Sequence, residues 1–189
     1  VSASGFSVPA GQTLTVQPGA VVKFGAGHLN VTGTLDVQGS DVDPAVFTSI
    51  EDDSVFGDTN GDGAATVGGP GQWNGLLLNV GSTTSIAHAR ILHHGSGGWS
   101  GIDLSSSDVQ LTLSDTEIAF GGTHGIDLEN RDVLPSVTGC SFVGNVGRAV
   151  QDVRLTSVPG FVDNSASGNG GGDTIFVNSP SPTTDTTIT

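Results

Sequence analysis

Methionine and tyrosine are absent from this 189-residue chain, cysteine occurs once, and only five residues are basic. Each shortage excludes something. A single cysteine, Cys140, cannot form an internal disulfide, and its setting in Gly139-Cys140-Ser141-Phe142 marks it as a buried structural thiol. Lys23, Arg90, Arg131, Arg148 and Arg154 face nineteen acidic residues, giving a net charge of −14. A surface this negative repels phosphate backbones, so nucleic acid is excluded as a partner and cations are favoured. No apolar run approaches the ~20 residues of a membrane span, so no membrane insertion is expected. No stretch carries helical periodicity of useful length. The start, Val1-Ser2-Ala3-Ser4-Gly5, lacks the basic and apolar regions of a signal peptide.

What is present is a repeat. Ile102-Asp103-Leu104, Ile126-Asp127-Leu128, Val150-Gln151-Asp152 and Ile175-Phe176-Val177 begin 24, 24 and 25 residues apart, and Leu76-Leu77-Leu78 lies 26 residues before the first. Ile118-Ala119-Phe120-Gly121, Phe142-Val143-Gly144-Asn145 and Ala166-Ser167-Gly168-Asn169 step by 24 as well. A fixed period of this size means stacked units that bury one continuous core between neighbours. Runs of three to five β-formers, such as Leu14-Thr15-Val16 and Val21-Val22-Lys23-Phe24, are closed by Gly, Asn, Asp and Pro turns. Three short strands per repeat predict an all-β chain, a right-handed parallel β-helix of about seven coils at the ~4.8 Å interstrand spacing. Ile102, Ile126, Val150 and Ile175 should form one inward column, and Leu104, Leu128 and Val177 its neighbour. Asp152 interrupts that second column and should mark a bend. Asn145 and Asn169, one coil apart, should ladder their amides.

The opening segments Ser7-Val8-Pro9-Ala10-Gly11-Gln12-Thr13-Leu14-Thr15-Val16 and Pro18-Gly19-Ala20-Val21-Val22-Lys23-Phe24 resemble the first coil of secreted bacterial right-handed β-helix proteins. Gly33-Thr34-Leu35, Phe47-Thr48-Ser49 and Gly71-Gln72-Trp73-Asn74-Gly75 continue the likeness, which is to the broad pectate-lyase-like superfold over residues 7 to 178. The resemblance implies a β-helix and a secreted or cell-surface location. It implies no single activity, because that superfold hosts lyases, hydrolases, adhesins and stalks.

The expected organisation is a β-helix domain over 1–178, an acidic loop inserted at 50–72, and a Pro/Thr-rich linker tail at 179–189. Within the loop, Asp58-Thr59-Asn60-Gly61-Asp62-Gly63 places side-chain oxygens at alternate positions with Gly sixth, the first half of a calcium loop. The closing acid is missing, since that place is Gly69, so Asp52 and Asp53 are candidates to complete the set. The expected metal ligands are thus Asp58, Asn60, Asp62, Asp52 and Asp53, holding structural calcium. A solvated Asx-rich turn is the plainer reading of the same residues.

Between inward apolar neighbours, Asp103 and Asp127 point outward and stack one coil apart. Two carboxylates that close raise the pKa of one of them, and a separation near 5 Å suits a retaining glycosidase. His124, Glu129, Arg148 and Gln151 are the expected neighbours on that flank, where they could supply a base and a sugar-binding rim. Against catalysis, the flanking rungs carry Gln151 and Leu77, and an open solvated face is expected. Trp99, on a glycine-rich turn, is a candidate sugar-stacking residue, and packing over the solenoid flank is the alternative reading of the same residue. His93 and His94 are adjacent and must face opposite ways on a strand, so they cannot share one metal. Thr13, Thr15, Thr32, Thr34 and Thr48 do not recur at the 24-residue period, which sets aside a threonine-ladder face.

These residues point first to a non-catalytic, calcium-stabilised module of a larger secreted or cell-surface protein. It would space adjacent domains of the same chain or bind polysaccharide. A polysaccharide lyase or glycoside hydrolase acting at Asp103 and Asp127 is the alternative. Self-assembly into a fibre or surface layer, through unpaired strand edges at the solenoid ends, is a further one.

Overall fold

The computed structural model describes residues 2–3 and 5–178; the expected tail at 179–189 lies outside the described residues. The chain winds as a β-solenoid of about seven coils, its strands stacked in three parallel sheets of seven, seven and six strands among the described residues. The first sheet stacks Ser2–Ala3, Val21–Phe24, Ala45–Ser49, Ala89–Leu92, Glu117–Ala119, Ser141–Val143 and Ser165–Ser167. The second stacks Phe6–Val8, His28–Val31, Gly75–Leu78, Ile102–Leu104, Ile126–Asp127, Arg148–Val153 and Gly172–Val177. The third stacks Thr13–Val16, Thr34–Gln38, Thr83–Ala87, Gln110–Ser114, Ser136–Thr138 and Phe161–Val162. Among the described residues, helix is limited to two short 3-10 turns, Ser96–Gly98 and Leu155–Gly160.

The core is a set of in-register columns. Phe6, Leu29, Leu76, Ile102, Ile126, Val150 and Ile175 pair successively along the second sheet, the column expected from the repeat. Val22, Phe47, Ile91, Ile118 and Phe142 do the same on the first sheet. Within the upper lumen Phe6, Phe24 and Trp73 stack face to face, at 5.9 and 4.3 Å between centroids. Trp73 is fully buried, and its indole N–H donates to the Leu92 carbonyl at 2.7 Å. Burying such side chains stabilises by roughly 1.5–3 kcal/mol each, which is where the stability of a disulfide-free solenoid resides.

Corners repeat too. Where the first sheet turns into the second, His93, Phe120, Gly144 and Gly168 occupy equivalent places with φ of 60°, 55°, 61° and 69°. Just inside that corner, Asn145 Nδ2 donates to Asn169 Oδ1 at 2.9 Å, and Asn145 Oδ1 accepts the Gly121 N–H at 3.0 Å. Asn145 and Asn169 also donate to the Ile118 and Phe142 carbonyls. The expected asparagine ladder is therefore present. One rung up, the ladder position is Gly121, and the buried His94 ring fills the space its missing side chain leaves.

Several expectations need adjustment. The Leu104 and Leu128 column continues through Val153, not Asp152, because the ladder slips between Val150 and Val153 and Asp152 adopts φ 51°. The bend expected at Asp152 is there. Val177, at the end of the stack with no coil beyond it among the described residues, is 39% exposed. Thr13, Thr34 and Thr83 do pair in register on the third sheet. The first coil is shorter, 34 minus 13 being 21 residues, so this alignment does not fall on the 24-residue period. The neighbouring column runs Thr15, Asp36, Ser85 and Thr112, so a double threonine row does not form.

The acidic segment is not thrown clear of the body. It folds back over the outer side of the first sheet, where Val55 packs against Val46, Leu92 and Ala119. Lys23 is buried beneath it and donates to the carbonyls of Asp52 (2.7 Å) and Gly57 (2.8 Å). A buried ammonium needs such partners, so these bonds tie the loop to the sheet.

Candidate functional site

On the outer face of the second sheet the central column reads Ser7, Asn30, Leu77, Asp103, Asp127 and Gln151. Asp103 and Asp127 are direct register partners. With Glu129 they bring carboxylate oxygens within 4.8 Å of one another. The expected open face is not what surrounds them. Asp103 is only 3% exposed, and it lines a groove of about 240 Å³ together with Trp99, Ser105, Glu129 and Arg131, while the half-buried Asp127 lies outside that lining. Leu77 and Leu104 supply apolar surface.

Local backbone explains the walls. The 3-10 turn at Ser96–Gly98 carries Trp99 up beside the column, where its indole meets His28 edge-on at 4.6 Å. The Thr123 hydroxyl donates to the Trp99 carbonyl. Across the groove, Glu129 and Asn130 both adopt left-handed φ values, 52° and 53°, so the chain turns sharply after Leu128 and brings Arg131 to the rim. Burial pushes the Asp103 carboxyl up to about 7 and that of Asp127 up to about 6. The negative charges of Asp127 and Glu129 add to the shift at Asp103, against the Ser100 N–H that Asp103 Oδ2 accepts at 2.7 Å. At Asp127 the Glu129 N–H, accepted at 2.7 Å, opposes the burial.

No family model, curated protein or solved structure matches this chain.

His124 and Arg148, expected beside the carboxylates, do not line this groove. His124 Nδ1 accepts the backbone N–H of Arg148 at 2.8 Å, and the Arg148 guanidinium lies 3.9 Å from the centre of the Phe176 ring. Arg131 takes the place expected for Arg148. Its signal in the sequence was position alone: it follows the turn that leaves the Asp127 strand. The groove can hold a polar ring against Trp99, donate through Arg131, and present the Asp103 carboxyl, which burial keeps protonated up to near neutral pH. Its three converging acids could equally hold a cation.

A second acidic group lies in the loop. Asp53, Asp58 and Asp62 bring carboxylate oxygens within 4.8 Å of one another. Asp58 accepts the N–H groups of Gly61 and Gly63, and Asp62 accepts the Ala65 N–H and the Thr66 hydroxyl. Both Asp53 oxygens are closed to solvent and have no hydrogen-bond partner. Asp52 stands outside this group, its carboxylate accepting Thr48 Oγ1 at 2.7 Å and Ser54 Oγ at 2.5 Å. Asn60 braces the loop internally, its amide donating to Asp62 and Thr66. Of the five expected ligands, three converge.

His93 and His94 face opposite ways, as their adjacency requires. His94 is wholly buried in the lumen, and that burial pushes its pKa down to about 3. His93 points out beneath the loop.

Proposed function

We propose that this chain is a carbohydrate-binding β-solenoid module of a larger secreted or cell-surface bacterial protein, its glycan seated in the Trp99 groove. The observation that carries this reading is the convergence of an aromatic face (Trp99), a guanidinium (Arg131) and two carboxyl groups, the buried Asp103 and the exposed Glu129, on one groove of the second sheet. Sugars are held in this way, a ring stacked on an aromatic plane while polar groups at the rim fix its hydroxyls. The resemblance of the opening coils to the pectate-lyase-like superfold supports the same setting. Structural calcium on Asp53, Asp58 and Asp62 belongs to this reading, supported by the partnerless Asp53 carboxylate, since a buried unpaired charge is costly.

Hydrolysis is the second reading, and one observation favours it. Asp103 and Asp127 are close, differ in burial and both hold protons more tightly than free carboxyls. A proton donor and a carboxylate at short range are what glycoside cleavage with retention uses. A glycan array followed by a reducing-sugar assay on each hit separates the readings. Binding that Trp99→Ala removes, without turnover, supports the module. Turnover lost in both Asp103→Asn and Asp127→Asn makes it an enzyme. An array with no hit contradicts both.

A further inference from the structure

Glu129 and Arg131 line the Trp99 groove with opposite charges, yet among the described residues neither makes an ion pair, with each other or with any other side chain. The turn that carries them is braced. The Arg131 N–H donates to the Leu128 carbonyl at 2.8 Å, the Glu129 N–H to Asp127 at 2.7 Å, and Arg154 Nε to the Asn130 carbonyl at 2.7 Å. An exposed acceptor and a half-buried donor are therefore held two residues apart without neutralising each other. The groove also has an apolar wall in reach of solvent. Leu77, half-buried, is the one apolar member of the outward column Ser7, Asn30, Leu77, Asp103, Asp127 and Gln151, and it is the register partner of Asp103.

A sugar substituent seated here meets an anion, a cation and an apolar side chain together. An ammonium group would face the Arg131 charge. A carboxylate would face Glu129, whose oxygens lie within 4.8 Å of those of Asp103 and Asp127. A hydroxyl can bond to Glu129 and Arg131, but it leaves Leu77 against a polar edge. A secondary amide bearing a methyl group meets all three demands. Its N–H donates to the Glu129 carboxylate, its carbonyl accepts from the Arg131 guanidinium, and its methyl covers Leu77. The group is neutral, so it opposes neither charge. The C–H face of the sugar ring remains free to stack on Trp99.

We propose that the groove selects N-acetylated amino sugars, the acetamido group spanning Glu129, Arg131 and Leu77 while the ring stacks on Trp99. This selectivity rests on the glycan-binding reading of the groove and narrows it to one substituent.

The test compares sugars that differ only at that substituent. The methyl β-glycosides of N-acetylglucosamine, glucose and glucosamine, and the same three in the galactose series, are titrated into the intact chain. Saturation-transfer NMR reads both the affinity and the sugar protons that touch the protein. At least one N-acetyl sugar should bind about tenfold more tightly than its hydroxyl and ammonium counterparts, with the acetyl methyl among the most strongly saturated protons. Leu77→Ala should reduce this preference about fivefold, through loss of the apolar contact, and leave the affinity for the hydroxyl sugar unchanged. Arg131→Ala should weaken the N-acetyl sugar about tenfold. The wild-type comparison stands without any variant, so a variant that misfolds does not remove the test. Absence of binding by all six sugars would contradict the glycan reading and this selectivity with it. Binding in which the hydroxyl or ammonium sugar equals the acetamido one would leave the glycan reading intact and overturn the selectivity. A preference that survives both Leu77→Ala and Arg131→Ala would overturn it as well.

Discussion

Replacing Asp103 by Asn should make the protein more stable at neutral and alkaline pH while leaving it nearly unchanged in mild acid. The folded carboxyl is pushed from 3.8 up to about 7, first by burial and then by Asp127 and Glu129. In the unfolded chain the same group ionises near pH 4. Between these values the folded state binds the extra proton, so stability falls as pH rises through the window and levels off above about 7. Near pH 4 and below, both states are protonated and the penalty vanishes. A shift of this size, at about 1.36 kcal/mol per pH unit, corresponds to about 4 kcal/mol at full ionisation. Asn keeps an oxygen to accept the Ser100 N–H, so the substitution removes the charge with little loss of geometry. The assay is urea unfolding of both proteins at about pH 4 and about pH 8, in EDTA so that no cation occupies the acidic cluster. The two should nearly coincide in acid, with the variant ahead by several kcal/mol at about pH 8, up to the ~4 of the full shift. Parallel curves, or a wild type that gains on the variant as pH rises, would show that Asp103 is not held protonated by burial.

Calcium should raise the melting temperature, since a ligand at 100 times its Kd stabilises the folded state by about 2.7 kcal/mol; Asp53→Asn should abolish the difference between calcium and EDTA scans. Gly121→Ala should destabilise by about 1–3 kcal/mol in denaturant titration, because its Cβ would fall 2.0 Å from His94 Cε1 in a filled lumen. Asn145→Ala should cost at least about 1–3 kcal/mol, since the Gly121 N–H and the Ile118 carbonyl lose their ladder partner in a buried site.

The fold was legible because stacking makes it one-dimensional. A residue such as Ile102 meets its equivalents at 126, 150 and 175, so a period in the sequence is a column in space. The shorter first coil hid the Thr13 to Thr34 pairing, since no single spacing describes both ends. The site was only half legible. Alternation placed Asp103 and Asp127 outward and in register, but outward in a solenoid means only away from the lumen. What covers an outer face is decided by turns, and turns do not follow the period. Trp99 reaches the column through a 3-10 turn, and Arg131 through two left-handed residues. The loop's return over Lys23 was likewise invisible, because its anchors are backbone carbonyls of Asp52 and Gly57, which carry no residue signature.

The glycan groove can be tested with the chain's own fluorescence. There is no tyrosine, and of the two tryptophans Trp73 is fully buried in the lumen while Trp99 lines the groove at partial exposure. Acrylamide quenching in the presence of an array-selected glycan therefore reports on Trp99. The account predicts that the glycan protects the quenchable fraction in wild type and in Trp73→Phe, and that Trp99→Phe has almost no quenchable fraction to protect. A glycan that binds while Trp99 remains as open to acrylamide as before would place the ligand elsewhere and contradict the assignment.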